Sequence, residues 1–179
     1  MTCALLVFFS ASAPQPGLRE VAERAGVSLG TAVRAQRLDE PAYAATLARE
    51  FNMVEPEDAL KWEVLRPDPN TFDFTASDRI VAFANAHGMK VRGHTLAWHR
   101  QLPEWVPDAD FSPRQLRQVL EQHIRTVVGH CRGRIFAWDV INEAFDEPVK
   151  PTLRSTLWYD TPGIGAGNGT AYIEECFRW

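Results

Sequence analysis

The sequence has little of what marks several large classes of protein. Its 179 residues include three cysteines, Cys3, Cys131 and Cys176, which lie far apart and form no CxxC pair. This argues against a disulfide scaffold and against a cysteine zinc site. No apolar run approaches the roughly 18 residues of a membrane span. With 19 basic and 23 acidic residues, the net charge of -4 provides no general attraction for nucleic acid or anionic membranes, and neither partner is expected.

The N-terminus carries a weak export signal. Residues 3–9 (CALLVFF) are apolar, and Ala11-Ser12-Ala13 has the small residues of a signal-peptidase site. No Lys or Arg precedes Arg19, so a disordered start is the alternative interpretation. We interpret residues 1–17 as a leader of one of these two kinds and residues 18–179 as one folded unit.

The rest of the chain alternates between apolar, β-rich runs and stretches with helical spacing. Strands are predicted at residues 27–33, 52–55, 90–98 and 134–141, and helices at 18–26, 41–51, 76–87, 113–128 and from 172 onward. Such alternation predicts an α/β fold with a parallel sheet. Folds of this kind place their chemistry at the carboxyl ends of the strands.

The segment Trp138-Asp139-Val140-Ile141-Asn142-Glu143 ends a predicted strand with an amide and a carboxylate side by side. A carboxylic acid in a partly desolvated cleft has a raised pKa and can act as a general acid near neutral pH. Asn142 can hydrogen-bond a substrate hydroxyl. A polar loop beginning at Asn142 is the alternative, and this segment alone leaves both open. We interpret Asp139, inside the strand, as part of a structural ion pair or hydrogen-bond network.

The segment RGHTLAWH, residues 92–99, carries an imidazole and an indole in another predicted strand. At a two-residue period, Arg92, His94, Leu96 and Trp98 share one face. Aromatic rings stack on sugar faces and histidine donates to hydroxyls, so this face suits sugar recognition. The alternative is a histidine satisfied within the core. His94 and His99 fall on opposite faces, so no metal site is expected from them.

A third segment, EPEDALKW at residues 55–62, contains three acids, one lysine and one tryptophan after a predicted strand. A solvated loop leading into a helix explains it equally well, because acids are favoured at helix starts. His123 and His130, seven residues apart on one predicted helix, have nothing to complete a metal site. We interpret both as structural.

Together the three segments resemble successive signatures of family ten glycoside hydrolases, the endo-β-1,4-xylanases. The matching runs are Phe51-Asn52-Met53-Val54 leading to Glu57-Asp58-x-x-Lys61-Trp62, then Gly93-His94-Thr95-Leu96-x-Trp98, then Trp138-Asp139-Val140-x-Asn142-Glu143. The similarity runs from about Leu18 to the last residue. It implies a (β/α)8 TIM barrel, of which only about the first four βα units are present. It also implies retaining hydrolysis of 1,4-β-D-xylosidic linkages in xylan, without a cofactor.

The resemblance implies roles at the point of cleavage. Glu143 would be the acid/base, which protonates the leaving oxygen and later activates water. Asn142 would hold the 2-hydroxyl of the sugar at the cleavage point, and His94 and Trp98 would line the same subsite.

The next sugar on the non-reducing side would be held by Glu57 and Lys61. Asp58 stands where the family usually has Asn. Asp58 is still expected to bind the substrate, because an ionised carboxylate accepts hydrogen bonds from sugar hydroxyls, although unlike the family's amide it cannot donate them.

The nucleophile is expected to be missing. Retaining hydrolysis needs two carboxylates about 5–5.5 Å apart, and the family's nucleophilic Glu ends the seventh strand, whereas four strands are predicted here. A full barrel takes about 250 residues. We therefore expect a portion of a larger xylanase, inactive alone, whose open sheet edges invite aggregation or pairing of halves. A non-catalytic xylan-binding fragment is one alternative.

A second alternative is DNA binding. Residues 18–37, LREVAERAGVSLGTAVRAQR, resemble the helix-turn-helix of lactose-repressor-type proteins, with the tight turn at Gly26 and a recognition helix from Ser28. That interpretation leaves the following 140 residues unexplained. The family ten interpretation makes the same stretch a first helix and a first barrel strand.

Overall fold

A computed structural model describes residues 15–146, 152–164 and 170–179. Four β-strands are formed: β1 (Gly30–Val33), β2 (Met53–Pro56), β3 (Lys90–Ala97) and β4 (Ala137–Ile141). The helices are α1 (Leu18–Arg24), α2 (Pro41–Glu50), α3 (Trp62–Leu65), α4 (Thr75–Ala86), α5 (Pro113–His130) and α6 (Ala171–Arg178), with a 3-10 helix at Ala35–Asp39. The predicted cleavage site at Ala11-Ser12-Ala13 lies outside the described residues.

The four strands form one parallel sheet in the order β1-β2-β3-β4. Met53 lies opposite both Gly30 and Lys90, and Ala137 lies opposite Arg92. Neighbouring strands are joined through helices, as parallel pairing requires. All four carboxyl ends therefore meet at one edge, and the loops that follow β2, β3 and β4 carry all the predicted site residues except His94, which lies within β3.

The predicted helix boundaries have clear local causes. Gly26 and Gly88 follow α1 and α4 with φ of 69° and 62°, a backbone conformation that glycine adopts without a Cβ clash. Ser112 caps α5: its hydroxyl accepts from the Gln115 backbone N–H, the Gln115 side chain accepts from the Ser112 N–H, and Pro113 occupies the first turn. The predicted N-cap at Ser112 is confirmed.

The strand predicted after Gly26 is confirmed, and the alternative of a recognition helix from Ser28 is wrong. Residues 30–33 form β1, which pairs along its length with β2, and Val33 is 1% exposed. The Asn52 side chain holds the approach to this strand, accepting from the Leu29 N–H at 2.7 Å and donating to the Val27 carbonyl at 3.0 Å. The turn at Gly26 is real, but it leads into a strand, so the helix-turn-helix interpretation loses its DNA-reading element.

Helices cover the sheet through two apolar clusters. One joins α2 and α4 to the first three strands, and includes Leu47, Val54, Ile80 and Val91. The other lies around α5, α6 and the loops after β2 and β3, and includes Trp62, Leu96, Leu120 and Trp158. No helix in the described ranges combines the length and hydropathy needed to cross a bilayer.

Both helix histidines make contacts within the fold. His123 is completely buried, with its ring centroid 3.7 Å from that of Trp62. The Nε2 atom of His130 lies 2.8 Å from a carboxylate oxygen of Asp78, which Arg134 also contacts at 2.8 Å. These contacts support the structural interpretation of both residues.

Strand β3 departs from the alternation predicted by its sequence. Its register against β4 shifts between His94 and Ala97, and Leu96 is 2% exposed whereas His94 is only half-buried. Leu96 packs in the apolar cluster of α5. The prediction that Leu96 shares a face with His94 is therefore wrong, because a strand loses its strict two-residue period where the ladder is irregular.

Candidate active site

The carboxyl edge of the sheet brings residues from all three predicted segments together. Lys61 follows β2, Trp98 follows β3 and Glu143 follows β4. The Lys61 ammonium lies 5.3 Å from the Trp98 ring centroid, and the Trp98 indole N–H donates to a Glu143 carboxylate oxygen at 3.1 Å. Trp98 is thus the bridge between the other two segments.

Glu143 lies in a left-handed backbone conformation, with φ of 52°. This conformation is unfavourable for a residue with a Cβ and is found mainly where the surrounding structure enforces it, often at functional sites. Its side chain is 41% exposed, so the described residues leave the carboxylate open to solvent instead of enclosing it in a cleft. Both Trp98 and His99, whose Nε2 atom is 3.8 Å away, face the carboxylate.

Arg154 fixes the backbone beside Glu143. Its guanidinium donates to the carbonyls of Glu143 and Phe145, each at 3.1 Å, and its own N–H donates to the Ala144 carbonyl at 2.8 Å. The chain around Glu143 is thereby tied to residues 152–154. Burial lowers the pKa of His99, and the positive charge of Arg154 lowers it further.

Asp139 is the centre of a hydrogen-bond network inside the sheet. One of its carboxylate oxygens lies 3.1 Å from the His94 Nδ1 atom, and the other accepts from the Arg92 guanidinium. The Thr95 hydroxyl donates to its backbone carbonyl at 2.8 Å. The hydrogen bond to Asp139 raises the pKa of Arg92. The predicted structural network around Asp139 is confirmed, and it orients the His94 ring.

Three side chains here have the donor types of a metal site. Ligand atoms of Glu55, His94 and Asp139 all lie within 4.8 Å of one another. However, the Arg92 guanidinium lies 3.6 Å from the Glu55 carboxylate and also contacts Asp139. The two carboxylates are already paired with a protein cation, so the arrangement is explained as an ion-pair network.

The residues of the third segment form a separate charged cluster. Arg34 contacts Glu57 at 2.7 Å and Asp58 at 3.2 Å, and Lys61 contacts Asp58 at 3.4 Å. Only 12% of the Lys61 side chain is exposed. Among the described residues, no hydrogen bond joins this cluster to Glu143, and the contact of Lys61 with Trp98 connects it to the rest of the candidate site.

Lys61 is held in place by the residue that follows it. The Trp62 indole is 2% exposed, and its N–H donates to the Leu96 carbonyl at 2.8 Å. A residue of the candidate site is therefore attached directly to one of the most buried side chains of the core.

Asn142 continues the strand pairing into the site, because its backbone N–H donates to the Ala97 carbonyl at 2.9 Å. It is followed directly by Glu143, so the amide and the carboxylate leave β4 at the same edge. Trp158 donates its indole N–H to the Trp98 carbonyl at 2.7 Å and thereby fixes the backbone of Trp98.

Three site residues were missed by sequence reasoning. Arg34 closes a predicted strand and Arg154 lies in an unremarkable loop, and no local pattern marks either as a partner of a site residue. Gln101 has a positive φ of 49° and donates to Glu63 at 2.8 Å.

A polar cavity of about 360 Å³ lies beside the charged cluster, lined by Arg34, Gln36, Asp58, Glu63 and Gln101 among others.

Comparison with known proteins identifies the family. The model of Glycosyl hydrolase family 10 matches residues 17–179. A Beta-1,4-xylanase of Dictyoglomus thermophilum is 41% identical over 164 residues, covering 92% of this chain and 44% of the relative. Endo-1,4-beta-xylanase B of Thermotoga neapolitana is 37% identical over 165 residues, covering 90% and 45%. The chain thus spans a little under half the length of these relatives.

The fold is shared with solved structures of the same family. Xylanase 10B from Thermotoga petrophila RKU-1, solved in complex with xylobiose, superposes with a TM-score of 0.85 at 38% identity, covering 94% of this chain and 50% of that one. Native xylanase 10B from Thermotoga maritima has a TM-score of 0.83. These structures are (β/α)8 barrels, and the four parallel strands with their helices correspond to about half of one. The predicted fold is confirmed, and the chain belongs to glycosyl hydrolase family 10.

Proposed function

We propose that this chain provides the acid/base side of a site that hydrolyses 1,4-β-xylosidic linkages in xylan with retention of configuration. The observation that carries the proposal is the placement of Glu143. Its carboxylate leaves the end of β4, accepts from the Trp98 indole at 3.1 Å and is 41% exposed. The group is held in position and remains accessible to a polymeric substrate.

In the first step, protonated Glu143 gives its proton to the glycosidic oxygen as the bond from that oxygen to the anomeric carbon breaks. A nucleophilic carboxylate bonds to the same carbon and forms a glycosyl ester. In the second step, Glu143 takes a proton from water, whose oxygen attacks the anomeric carbon and releases the nucleophile. Asn142, adjacent to Glu143, would bind the 2-hydroxyl of the sugar undergoing cleavage.

The remaining site residues would bind sugar. The imidazole of His94, whose Nδ1–H is held by the Asp139 carboxylate, accepts from a sugar hydroxyl through Nε2, and Trp98 offers an apolar ring face to a xylose unit. Glu57 and Lys61 bind the next unit towards the non-reducing end. The names of the relatives, several of them xylanases, and the xylobiose bound to the Thermotoga petrophila enzyme support xylan as the substrate class.

We further propose that the 179-residue chain alone does not turn over xylan. The nucleophile is expected at the end of a seventh barrel strand, and the described residues form four strands. The chain alone should bind xylo-oligosaccharide without releasing reducing sugar. Joining it to the complementary half of the Thermotoga petrophila xylanase barrel should produce hydrolysis, measured as reducing-sugar release from xylan.

The role of Glu143 is tested in that joined enzyme. Glu143→Gln should lower kcat on xylan by about 10²–10⁴-fold, because the leaving oxygen loses its proton donor. Formation of the glycosyl ester from an aryl xylobioside with an acidic phenol should be much less affected, since such a phenolate leaves without protonation. Glu104→Gln, at an exposed carboxylate in the loop after β3, is the matched control and should retain full activity.

Three results would contradict the proposal. Hydrolysis by the 179-residue chain alone that Glu143→Gln abolishes would refute the need for a second half. Equal losses on xylan and on the aryl substrate would mean that Glu143 acts in some way other than proton donation. Binding of xylotriose without turnover in the joined enzyme would favour the non-catalytic xylan-binding alternative.

Secretion is also proposed, because xylan is an extracellular polymer and residues 3–13 combine an apolar run with small residues. Expression with residues 1–17 intact should release protein to the medium, shortened near Ala13. Retention of the unshortened chain in the cell would overturn this assignment.

A further inference from the structure

The charged cluster after β2 includes Arg34, a cation from a different segment of the chain. Arg34 comes from the residue directly after β1, and its guanidinium contacts both neighbouring carboxylates, Glu57 at 2.7 Å and Asp58 at 3.2 Å. The hydrogen bond to Glu57, together with the negative charges of Glu57 and Asp58, raises the pKa of Arg34. It therefore stays charged at any pH at which the fold is stable.

The carboxylates of Asp58 and Glu57 differ in how many of their oxygens are paired with a protein cation. Asp58 uses one oxygen for Arg34 and the other for Lys61, at 3.2 and 3.4 Å. Glu57 uses Oε1 for Arg34. Within the described part of the chain, Oε2 of Glu57 makes no hydrogen bond, so it remains available to accept from a sugar hydroxyl.

The charge balance explains why a second cation is needed. Glu57, Asp58 and Lys61 alone carry two negative charges and one positive charge. Arg34 brings the sum to zero and prevents the two adjacent carboxylates from repelling each other. The ammonium of Lys61, which lies over the Trp98 ring, can then donate to a sugar hydroxyl.

We propose that Arg34 is a positioning residue of the sugar-binding site and that Asp58 serves as the counter-ion that links Arg34 to Lys61, leaving Glu57 and Lys61 as the groups that contact the sugar. This inference rests on the proposed function. Asp58 then pairs with protein cations and not with the sugar, which suits an acid that can only accept hydrogen bonds. The residue that follows β1 becomes part of the site.

The test is a set of variants measured by calorimetry with xylotriose, using the full 179-residue chain. Arg34→Gln should weaken binding by about 3- to 5-fold at low salt, because the half-exposed ion pairs of Arg34 with Glu57 and with Asp58 are both lost. Raising the salt to about 1 M should shrink this difference, because the Debye length falls to about 3 Å. Arg34→Gln combined with Asp58→Asn removes one charge of each sign and should regain most of the lost affinity.

Arg37→Gln is the matched control. Arg37 lies three residues away, is similarly exposed and pairs with Glu40 instead of a site residue. It should leave xylotriose affinity unchanged and insensitive to salt. A loss of affinity in Arg37→Gln equal to that in Arg34→Gln would mean a general charge effect and would overturn the proposal.

A second measurement separates this inference from the proposed function. Melting temperatures without sugar of the wild type, Arg34→Gln, Asp58→Asn and the double variant report whether the two residues interact at all. If the effects of the two substitutions on melting temperature are not additive, but Arg34→Gln leaves xylotriose affinity unchanged, then Arg34 only stabilises the loop. Failure of the wild-type chain to bind xylotriose would overturn both the proposed function and this inference. Additive effects of the two substitutions on melting temperature would overturn this inference alone.

Discussion

Replacing the buried His123 by leucine is expected to make the protein resist acid better. His123 is 0% exposed, with its ring stacked on Trp62 and 5.9 Å from the Phe72 ring centroid. Neither ring nitrogen has a hydrogen-bond partner among the described residues. Burial, and then the nearby charge of Arg66, lowers the pKa of His123 well below its usual 6.5. The folded protein therefore holds this imidazole neutral.

The sign of the effect follows from proton uptake. Below pH 6.5 the unfolded chain protonates His123 and the folded chain does not, so falling pH favours unfolding. Each bound proton changes the free energy of unfolding by about 1.4 kcal/mol per pH unit. Over two pH units below 6.5, a group that is protonated only in the unfolded chain lowers the free energy of unfolding by about 2 kcal/mol, a loss that His123→Leu does not suffer.

Urea unfolding at half-unit steps of pH, followed by tryptophan fluorescence, measures this difference. Carboxylates that titrate in the same range contribute equally to both proteins and cancel. His87→Leu, at an exposed position at the end of α4, is the control and should follow the wild-type curve. Parallel curves for wild type and His123→Leu would refute the reasoning, since they would mean that His123 takes up its proton in the folded state.

Three further substitutions test the packing and the capping. Gly93→Ala would place a Cβ 2.2 Å from the Trp138 ring, so we expect a loss of about 1–3 kcal/mol in the free energy of urea unfolding. Gly129→Ala meets no atom within 4 Å and lies in α5, so it should stabilise the protein by up to about 1 kcal/mol. Ser112→Ala removes the cap of α5 and should lower the melting temperature, at a cost of about 1 kcal/mol; an unchanged melting temperature would contradict the capping-box geometry.

Much of the fold was predictable because its signals are local. Gly26, Gly88 and the Ser112-Pro113 pair end or begin helices through backbone conformations and hydrogen bonds that involve only a few neighbouring residues. The strands were placed to within a few residues by their apolar runs. The alternative of a recognition helix from Ser28 arose from the same local signals: a turn glycine between two helix-compatible stretches looks alike whether a helix or a strand follows, and the pairing with β2 decides the outcome.

The candidate site was predictable where its residues belong to one continuous segment. Asn142 and Glu143 were found at the end of β4, and Asp139 was correctly assigned to a structural network. Contacts between segments carry no such local signal. Arg34 reaches across from β1 to Asp58, and Arg154 reaches back to Glu143, and both contacts depend on how the loops fold over the edge of the sheet.

The junction between Lys61 and Trp62 sets opposite mutational tolerances one residue apart. Lys61 faces the charged cluster, so its replacement alters the chemistry offered to a ligand while leaving the interior intact. Trp62 fills the interior, stacks on His123 and donates to the Leu96 carbonyl, so its replacement opens a void and frees a carbonyl. Variation selected for new ligand preference can therefore accumulate at position 61, while position 62 keeps the loop in a constant place and makes that variation harmless to folding.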